Sequence, residues 1–429
     1  MPAPAGKTPG RSRPSYLAAP PLLSESEPFE GADVLREHPG ALGALLWKSL
    51  RDVAAWTETG AGDRAALFNP AAADTRTGEV AASGAEPELW APLLVVAQLL
   101  RAPADVDYAR LVNACRAVAR WGERRGFTAV QLAFTQAAAR LAPGHPRLAY
   151  AVGRLSRDRG EYARAETWLR ASIRLARGKD WHTYALAYLS MGTLYQQLGN
   201  LPAARAVTER GLRTTLRRRL RKLEGTAYHN LFVIATEMRE VGAGYDWAQA
   251  AFQRYGPAHP RLPALAHDVG CFWILQGCFG RAAEVLESVI PRMTDTGDRV
   301  LVLANLARAA AADGRREQYE RAFAESVALL PEAPGPERVA QVWINLARAA
   351  ASAGDHARAE QAARHAAELA MPLRLGHIQL EVEALQGAVR SARAAGQSRL
   401  VPPIQPGWEA RADALALQVR ASLAQSAVP

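Results

Sequence analysis

The heptapeptide NLARAAA occurs twice, at 305–311 and again at 345–351, 40 positions later. Each copy runs into a glycine, Gly314 and Gly354. A second amphipathic stretch follows, and then a proline, Pro331 and Pro372. A helical unit of this length cannot bury its apolar face alone, so repeated units must stack on one another. The repeat therefore predicts a stacked helical array. It also moves the functional question from an active site to whatever lies against the inner face of the stack.

Composition agrees with helices. Hydrophobic residues make up 49% of the 429 residues, an ordinary globular share, while aromatics are only 7%. Alanine is abundant, favours helix and lets helices approach closely. β-branched runs are rare, which argues against a sheet protein. The net charge of +10 is carried mainly by arginine. Such a charge suits acidic partners, but an arginine-rich, high-GC bacterial composition explains it first. The three cysteines, Cys115, Cys271 and Cys278, include no CxxC pair, which fits a reducing compartment and no metal site. No apolar run reaches the ~18 residues of a membrane helix. The N-terminus lacks the unbroken apolar core of a signal peptide. A cytoplasmic protein is expected.

Residues 1–28 are rich in Pro, Ser, Gly and Ala and read as a flexible tail. Residues 29–102 read as a small helical segment. Leu42, Leu45, Leu46 and Leu50 set a helical period, 58–86 reads as a loop, and a helix is expected from Pro87 to Leu100. From Asp105 onward helical hairpins follow one another, to about residue 395. Glycines mark their turns at Gly126, Gly160, Gly199, Gly242, Gly277, Gly314 and Gly354, spaced 34 to 43 residues apart. HPRL occurs before two first helices, at 145–148 and 259–262. Residues 374–396 form a further helix. VPPIQPG then breaks the chain, and the helix within 405–425 is expected to cap the array.

The hairpins carry a recurring pattern. One unit has AVG at 151–153, then Gly160, Tyr162, Ala165 and Leu169. Another has MGTLY at 191–195, then Gly199 and Ala204. A third has VGCFW at 269–273, then Gly277, Phe279, Ala282 and Leu286. This resembles the tetratricopeptide repeat family, in its bacterial form, over residues 105 to 395. The resemblance implies an all-α fold: a right-handed superhelical solenoid of antiparallel helix hairpins whose first helices line a concave groove. It also implies that the groove binds an extended peptide or a chain terminus. Carrying the family's groove positions over places Tyr150, Arg154 and Arg157 there, then Thr193 and Gln196. His229, Phe232, Thr236 and Arg239 follow, and then His267, Cys271, Asn305, Arg308, Asn345 and Arg348. The family's carboxylate clamp uses lysines with asparagines, whereas this chain offers arginines, so a chaperone-tail function does not transfer.

The chemistry of those side chains supports a ligand site at Tyr150, Arg154, Arg239, Asn305, Arg308, Asn345 and Arg348. Asn pairs with a peptide amide, and Arg grips a carboxylate in a two-point fork. The sequence contains no GxSxG, HExxH, GxxxxGK[ST] or GxGxxG. His267 and Asp268 are neighbours about 100° apart on a helix, which makes them a poor catalytic pair. No enzyme, no cofactor and no metal are expected. The leading reading is a non-enzymatic scaffold holding a protein or peptide segment. The alternatives are a regulatory protein of the peptide-sensing kind, or an enzyme built on Asp33, Glu37, His38, Asp52 and Asp63. RTTLRRRLRK at 213–222 reads as one amphipathic helix with a solvated basic face. No aromatics interleave with its arginines, so nucleic acid is the less favoured partner.

Overall fold

A computed structural model describes residues 31–68, 70–333, 335–372, 376–397, 399–401 and 407–425. The tail expected over 1–28 lies outside them. The described residues form twenty α-helices and no strand. The chain divides into two compact units, residues 1–223 and 224–429.

The first unit opens with α1 (Ala32–Glu37), α2 (Ala41–Glu58), α3 (Pro70–Ala82) and α4 (Pro87–Arg101). Hairpins follow: α5 (Tyr108–Arg125) with α6 (Thr128–Leu141), α7 (Pro146–Asp158) with α8 (Tyr162–Ala176), and α9 (Trp181–Gln197) with α10 (Leu201–Arg218). Helix α3 stands where a loop was expected. It is short and alanine-rich, and it buries only Ala73 and Val80, too few apolar positions to set a period. What holds it is tertiary: Arg76 bridges to Asp52 of α2 at 2.8 Å, out of sight of a local pattern. Glu37 accepts from the backbone N–H groups of Ala129 and Val130, each at 3.0 Å. It thereby caps the free donors at the start of α6. Asp33 pairs with Arg36 and Arg159, and His38 packs on Trp121 and Phe127.

The second unit holds α11 (Arg221–Glu237), whose first turn contains the division, with α12 (Val241–Tyr255). Then come α13 (Leu262–Gln276) with α14 (Phe279–Val289), α15 (Thr296–Asp313) with α16 (Arg316–Leu329), α17 (Pro336–Ala353) with α18 (His356–Ala370), α19 (Gly376–Ala394) and α20 (Glu409–Gln425). The two NLARAAA copies lie on α15 and α17. Ala307, Ala309, Ala310, Ala347, Ala349 and Ala350 are fully buried, so these two helices meet along a seam of methyl groups. Helix α20 runs back onto α14, where Leu415, Val419 and Leu423 are buried. Arg420 pairs with Glu284 at 2.8 Å, and Arg281 pairs with Asp413. The short stretch before it crosses two helix ends: Arg399 Nε donates to the carbonyl of Ser352 at 2.7 Å.

In the hairpins that begin with α5, α7, α9, α11 and α13, a first-helix glycine lets the second helix close in. A Cβ on Gly153 would stand 2.7 Å from Leu169 Cγ, and one on Gly270 would stand 2.6 Å from Leu286 Cγ. This is the physical content of the AVG and VGC motifs.

The turns repeat one hydrogen-bond pattern. In each, the N–H of the residue after the turn position reaches back five residues, as from Glu161 to Ser156 and from Asp355 to Ala350. Gly126, Gly160, Gly199, Gly277, Gly314 and Gly354 all take a left-handed φ there. Gly242 does not, since it lies inside α12. Its expected place is held by Arg239, with φ 58°, and Glu240 N–H reaches Ala235 at 2.9 Å. A non-glycine residue in this region costs roughly 1 kcal/mol. Arg239→Gly is therefore expected to raise the unfolding free energy by about 0.5–1 kcal/mol, measured by urea titration; a loss of stability would show that the arginine side chain contributes more than the strain costs.

The basic run is not one helix. Helix α10 ends at Arg218, Arg219 turns left-handed at φ 55°, and α11 begins at Arg221. Leu216, in the last turns of α10, is 43% exposed.

Candidate functional site

Five first helices, α11, α13, α15, α17 and α19, bring a polar cluster together in the second unit. Its centre is Asp268. His229 Nε2 lies 2.8 Å from Asp268 Oδ2, and His267 Nδ1 lies 3.2 Å from Oδ1. Adjacent helical residues diverge by about 100°. The carboxylate nevertheless swings back to receive the neighbouring ring. His229 Nδ1 also faces the Tyr255 hydroxyl at 3.2 Å. On its far side, His267 Nε2 meets Cys271 Sγ at 3.5 Å and the amide of Asn305 at 3.0 Å.

The network tunes its own charges. Burial opposes ionisation of Asp268, but hydrogen bonds from His229 and His267 outweigh it and hold the carboxyl well below its usual range. Burial likewise opposes a charge on His267, but Cys271 and Asp268 beside it raise its pKa well above the ordinary value. A protonated ring directs Nε2–H at Asn305, whose amide then turns its oxygen inward to accept; the two ends of the amide have nearly the same shape. The signs set a pH window. The histidine contribution is complete below its ordinary pKa, about 6.5, and fades as pH rises through the raised value. The aspartate contribution is complete above about 3.9 and fades as pH falls through the depressed one. Asp268→Asn is therefore expected to cost most stability between about pH 4 and 6.5. Thermal melts across pH check this, and a penalty that does not vary with pH would contradict it.

One turn further along, the groove becomes cationic. Arg308 and Arg348 are half-buried and face each other from α15 and α17. Arg348 donates to Glu381 of α19 at 3.1 Å. Arg308 has no carboxylate within ion-pair distance among the described residues. Burial first, and Arg348 second, push the Arg308 pKa down to about 10. It stays charged at neutral pH, in a place that disfavours the charge.

The sequence-predicted site residues divide between the units. Tyr150 and Arg154 belong to the first. Tyr150 packs half-buried beside Leu169 and Met191, and Arg154 pairs with Asp158 at 3.2 Å. Arg157 is taken by Asp158 and Ser190. Arg239, Asn305, Arg308, Asn345 and Arg348 belong to the second. Arg239 lies in a turn beyond the end of α11, not on a first helix. Asn305 and Asn345 are each 5% exposed, sunk beneath the groove surface, and the Asn305 amide faces His267. Phe232, expected to offer an apolar groove wall, is a core residue at 1% exposure. Sequence reasoning missed Asp268 as the hub, and missed Glu381, which carries no local signal at all.

A cavity of about 250 Å³ opens beside His267 and Asp268. Among the described residues no group of three or more His, Cys, Asp and Glu is placed to hold a metal ion. Burial pushes the thiols of Cys115 and Cys278 up to about 12 and about 11. No helix among the described residues is long and apolar enough to cross a membrane.

Antiparallel hairpins stacked through small residues and closed by one recurring turn define an α-helical repeat protein. Residues 340–370, most of the α17–α18 hairpin, match the sequence model of the tetratricopeptide repeat. That hairpin matches a tetratricopeptide repeat, set within an all-α array of stacked helix hairpins. No curated protein matches its sequence. Among solved structures it is similar to aspartyl phosphate phosphatase F from Bacillus subtilis, at 10% identity over 81% of this chain and 94% of that one, with a TM-score of 0.49. It is similar to the Cut9–Hcn1 hetero-tetramer of APC/C at 14% identity over 85% and 68%, with a TM-score of 0.45. It is also similar to BtubC from P. vanneervenii at 16% identity over 63% and 93%, with a TM-score of 0.31.

Proposed function

We propose that the second unit is a non-enzymatic binding module that holds an extended polypeptide segment along its first helices. A carboxylate of that segment would be seated between Arg308 and Arg348. The observation that carries this reading is the charge imbalance at that point: of two facing guanidiniums, Arg348 pairs with Glu381 and Arg308 has no carboxylate within ion-pair distance among the described residues. A partly desolvated cation beside another cation is unfavourable alone and favourable once an anion bridges them. In the first unit the corresponding arginines, Arg154 and Arg157, both contact Asp158, so neither lacks a carboxylate partner.

The test is a selection. The full chain is panned against a random dodecapeptide library with free C-terminal carboxylates, and hits are resynthesised as acids and as amides. The reading expects carboxylate-bearing hits that bind the Arg308→Ala/Arg348→Ala variant at least about tenfold more weakly, the worth of one charge-assisted contact. Hits that bind wild type and variant equally would overturn it.

A further inference from the structure

The first unit presents a second, unrelated site on the face made by its second helices. Helices α8 and α10 each pack on α9, which forms the floor between them. Two adjoining cavities, of about 490 and 320 Å³, share Arg210 as their common wall. The larger has an apolar floor of Ile173, Tyr188, Met191, Tyr195 and Val207. The smaller is lined by Trp181 and Tyr184 together with the end of α10.

Both rims are arginine. Helix α8 supplies Arg170, Arg174 and Arg177; helix α10 supplies Arg210, Arg213, Arg217 and Arg218. Glu166 answers Arg170, and Glu209 approaches Arg213 at 3.6 Å. Arg174, Arg177, Arg217 and Arg218 have no carboxylate within ion-pair distance among the described residues, and all four are exposed. The aromatics missing from the linear basic run come from the neighbouring helix. Arg218 lies over the Trp181 ring at 4.1 Å, and Arg210 lies over Tyr188 at 5.0 Å. A guanidinium stacked flat on a ring is held in place with its N–H edge free to donate.

What fits is decided by what the slot lacks. Neither cavity is lined by Asp, Glu, Asn or Gln. A peptide backbone brings N–H donors as well as carbonyls and wants acceptors in return. A nucleic-acid strand brings phosphates that only accept, and base faces that stack without preference. We propose that this slot binds single-stranded nucleic acid without sequence selectivity, phosphates on the two arginine rows and bases against the apolar floor of the larger cavity. From Arg210 to Arg218 helix α10 rises about 12 Å, enough for about three phosphates of a stacked strand at ~3.4 Å each.

The experiment is fluorescence anisotropy of fluorescein-labelled dT12 and rU12 with the full chain, from 50 to 300 mM NaCl. The expected result is binding of both, with log affinity falling against log salt at a slope of about −2. Arg177→Ala/Arg217→Ala should weaken binding at least about tenfold and flatten the slope toward −1. Arg177→Lys/Arg217→Lys, which keeps the charge, should hold the slope. Arg116→Ala/Arg120→Ala, an equal charge loss on exposed positions of α5, should change little. No binding at 50 mM, or equal losses in the α5 control, would overturn the proposal. So would competition by polyglutamate as effective as unlabelled dT12 of equal charge, which would make the slot a site for acidic polypeptide.

Discussion

Arg308→Met is expected to weaken a selected carboxylate peptide by roughly 10- to 100-fold while leaving the thermal midpoint unchanged or slightly higher. The two halves of this result have one cause. Arg308 is half-buried, faces Arg348 and has no carboxylate of its own. Removing such a charge relieves the fold, because an apolar side chain of similar length fills the space without the desolvation cost. Removing it also takes away the donor that an incoming anion would meet. Arg348→Met should behave differently. It strips Glu381 of its partner, so stability falls along with affinity. Calorimetric titration of both variants, with melts alongside, separates the cases. A destabilised Arg308→Met would make that residue part of the framework and would leave the groove without its anion site.

Trp273→Ala is expected to destabilise the second unit by about 3–5 kcal/mol, the range for truncating a buried aromatic. The side chain is fully buried. It packs edge-on to Phe272 at 4.8 Å and near Tyr245 and Trp408 at 6.3 and 6.4 Å, so it ties α12, α13 and the start of α20 together. For a unit of this size the loss corresponds to a fall of roughly 6–20 °C in the melting midpoint. Trp273→Phe should cost clearly less. It keeps the ring contact, and it removes an indole N–H that has no acceptor among the described residues. Calorimetry of the two variants decides between a packing role and an incidental one; equal, small shifts would rule out the aromatic clamp.

The two proposed sites make opposite demands on the same residue type. In the second unit a single unpaired guanidinium sits in a half-buried place, and its effect is local and specific. In the first unit several exposed guanidiniums act together, and their effect is screened by salt. Salt titration therefore separates them: peptide binding at Arg308 should fall only modestly between 50 and 300 mM, where the oligonucleotide signal drops steeply.

The hairpins were legible in the residues because their causes are local. A glycine two residues before a reversed helix reports a left-handed turn wherever it stands, and first-helix glycines such as Gly153 and Gly270 report a close helix contact. Where local chemistry was atypical the reading failed for a stated reason. Arg239 bears the same turn without glycine, so Gly242 drew the boundary three residues late. Helix α3 is held by Arg76 and Asp52 and not by an apolar period. The seven predicted site residues were chosen one unit at a time, and nothing in a single unit says which arginine is already neutralised. Asp158 neutralises Arg154 within its own helix, while the partner of Arg348 lies 33 positions away on α19.

By itself, then, the sequence determined an all-α array of repeated hairpins, since helix period, turn glycines and small-residue seams all act within about forty residues. Only the tertiary structure decided which polar groups remain available. Stacking placed Asp268 between two histidines from different hairpins, sank Asn305 and Asn345 beneath the groove, left Arg308 without a carboxylate, and laid Trp181 and Tyr188 under the arginines of α10. Burial and pairing depend on distances between helices far apart in the chain. A linear pattern carries no record of those distances.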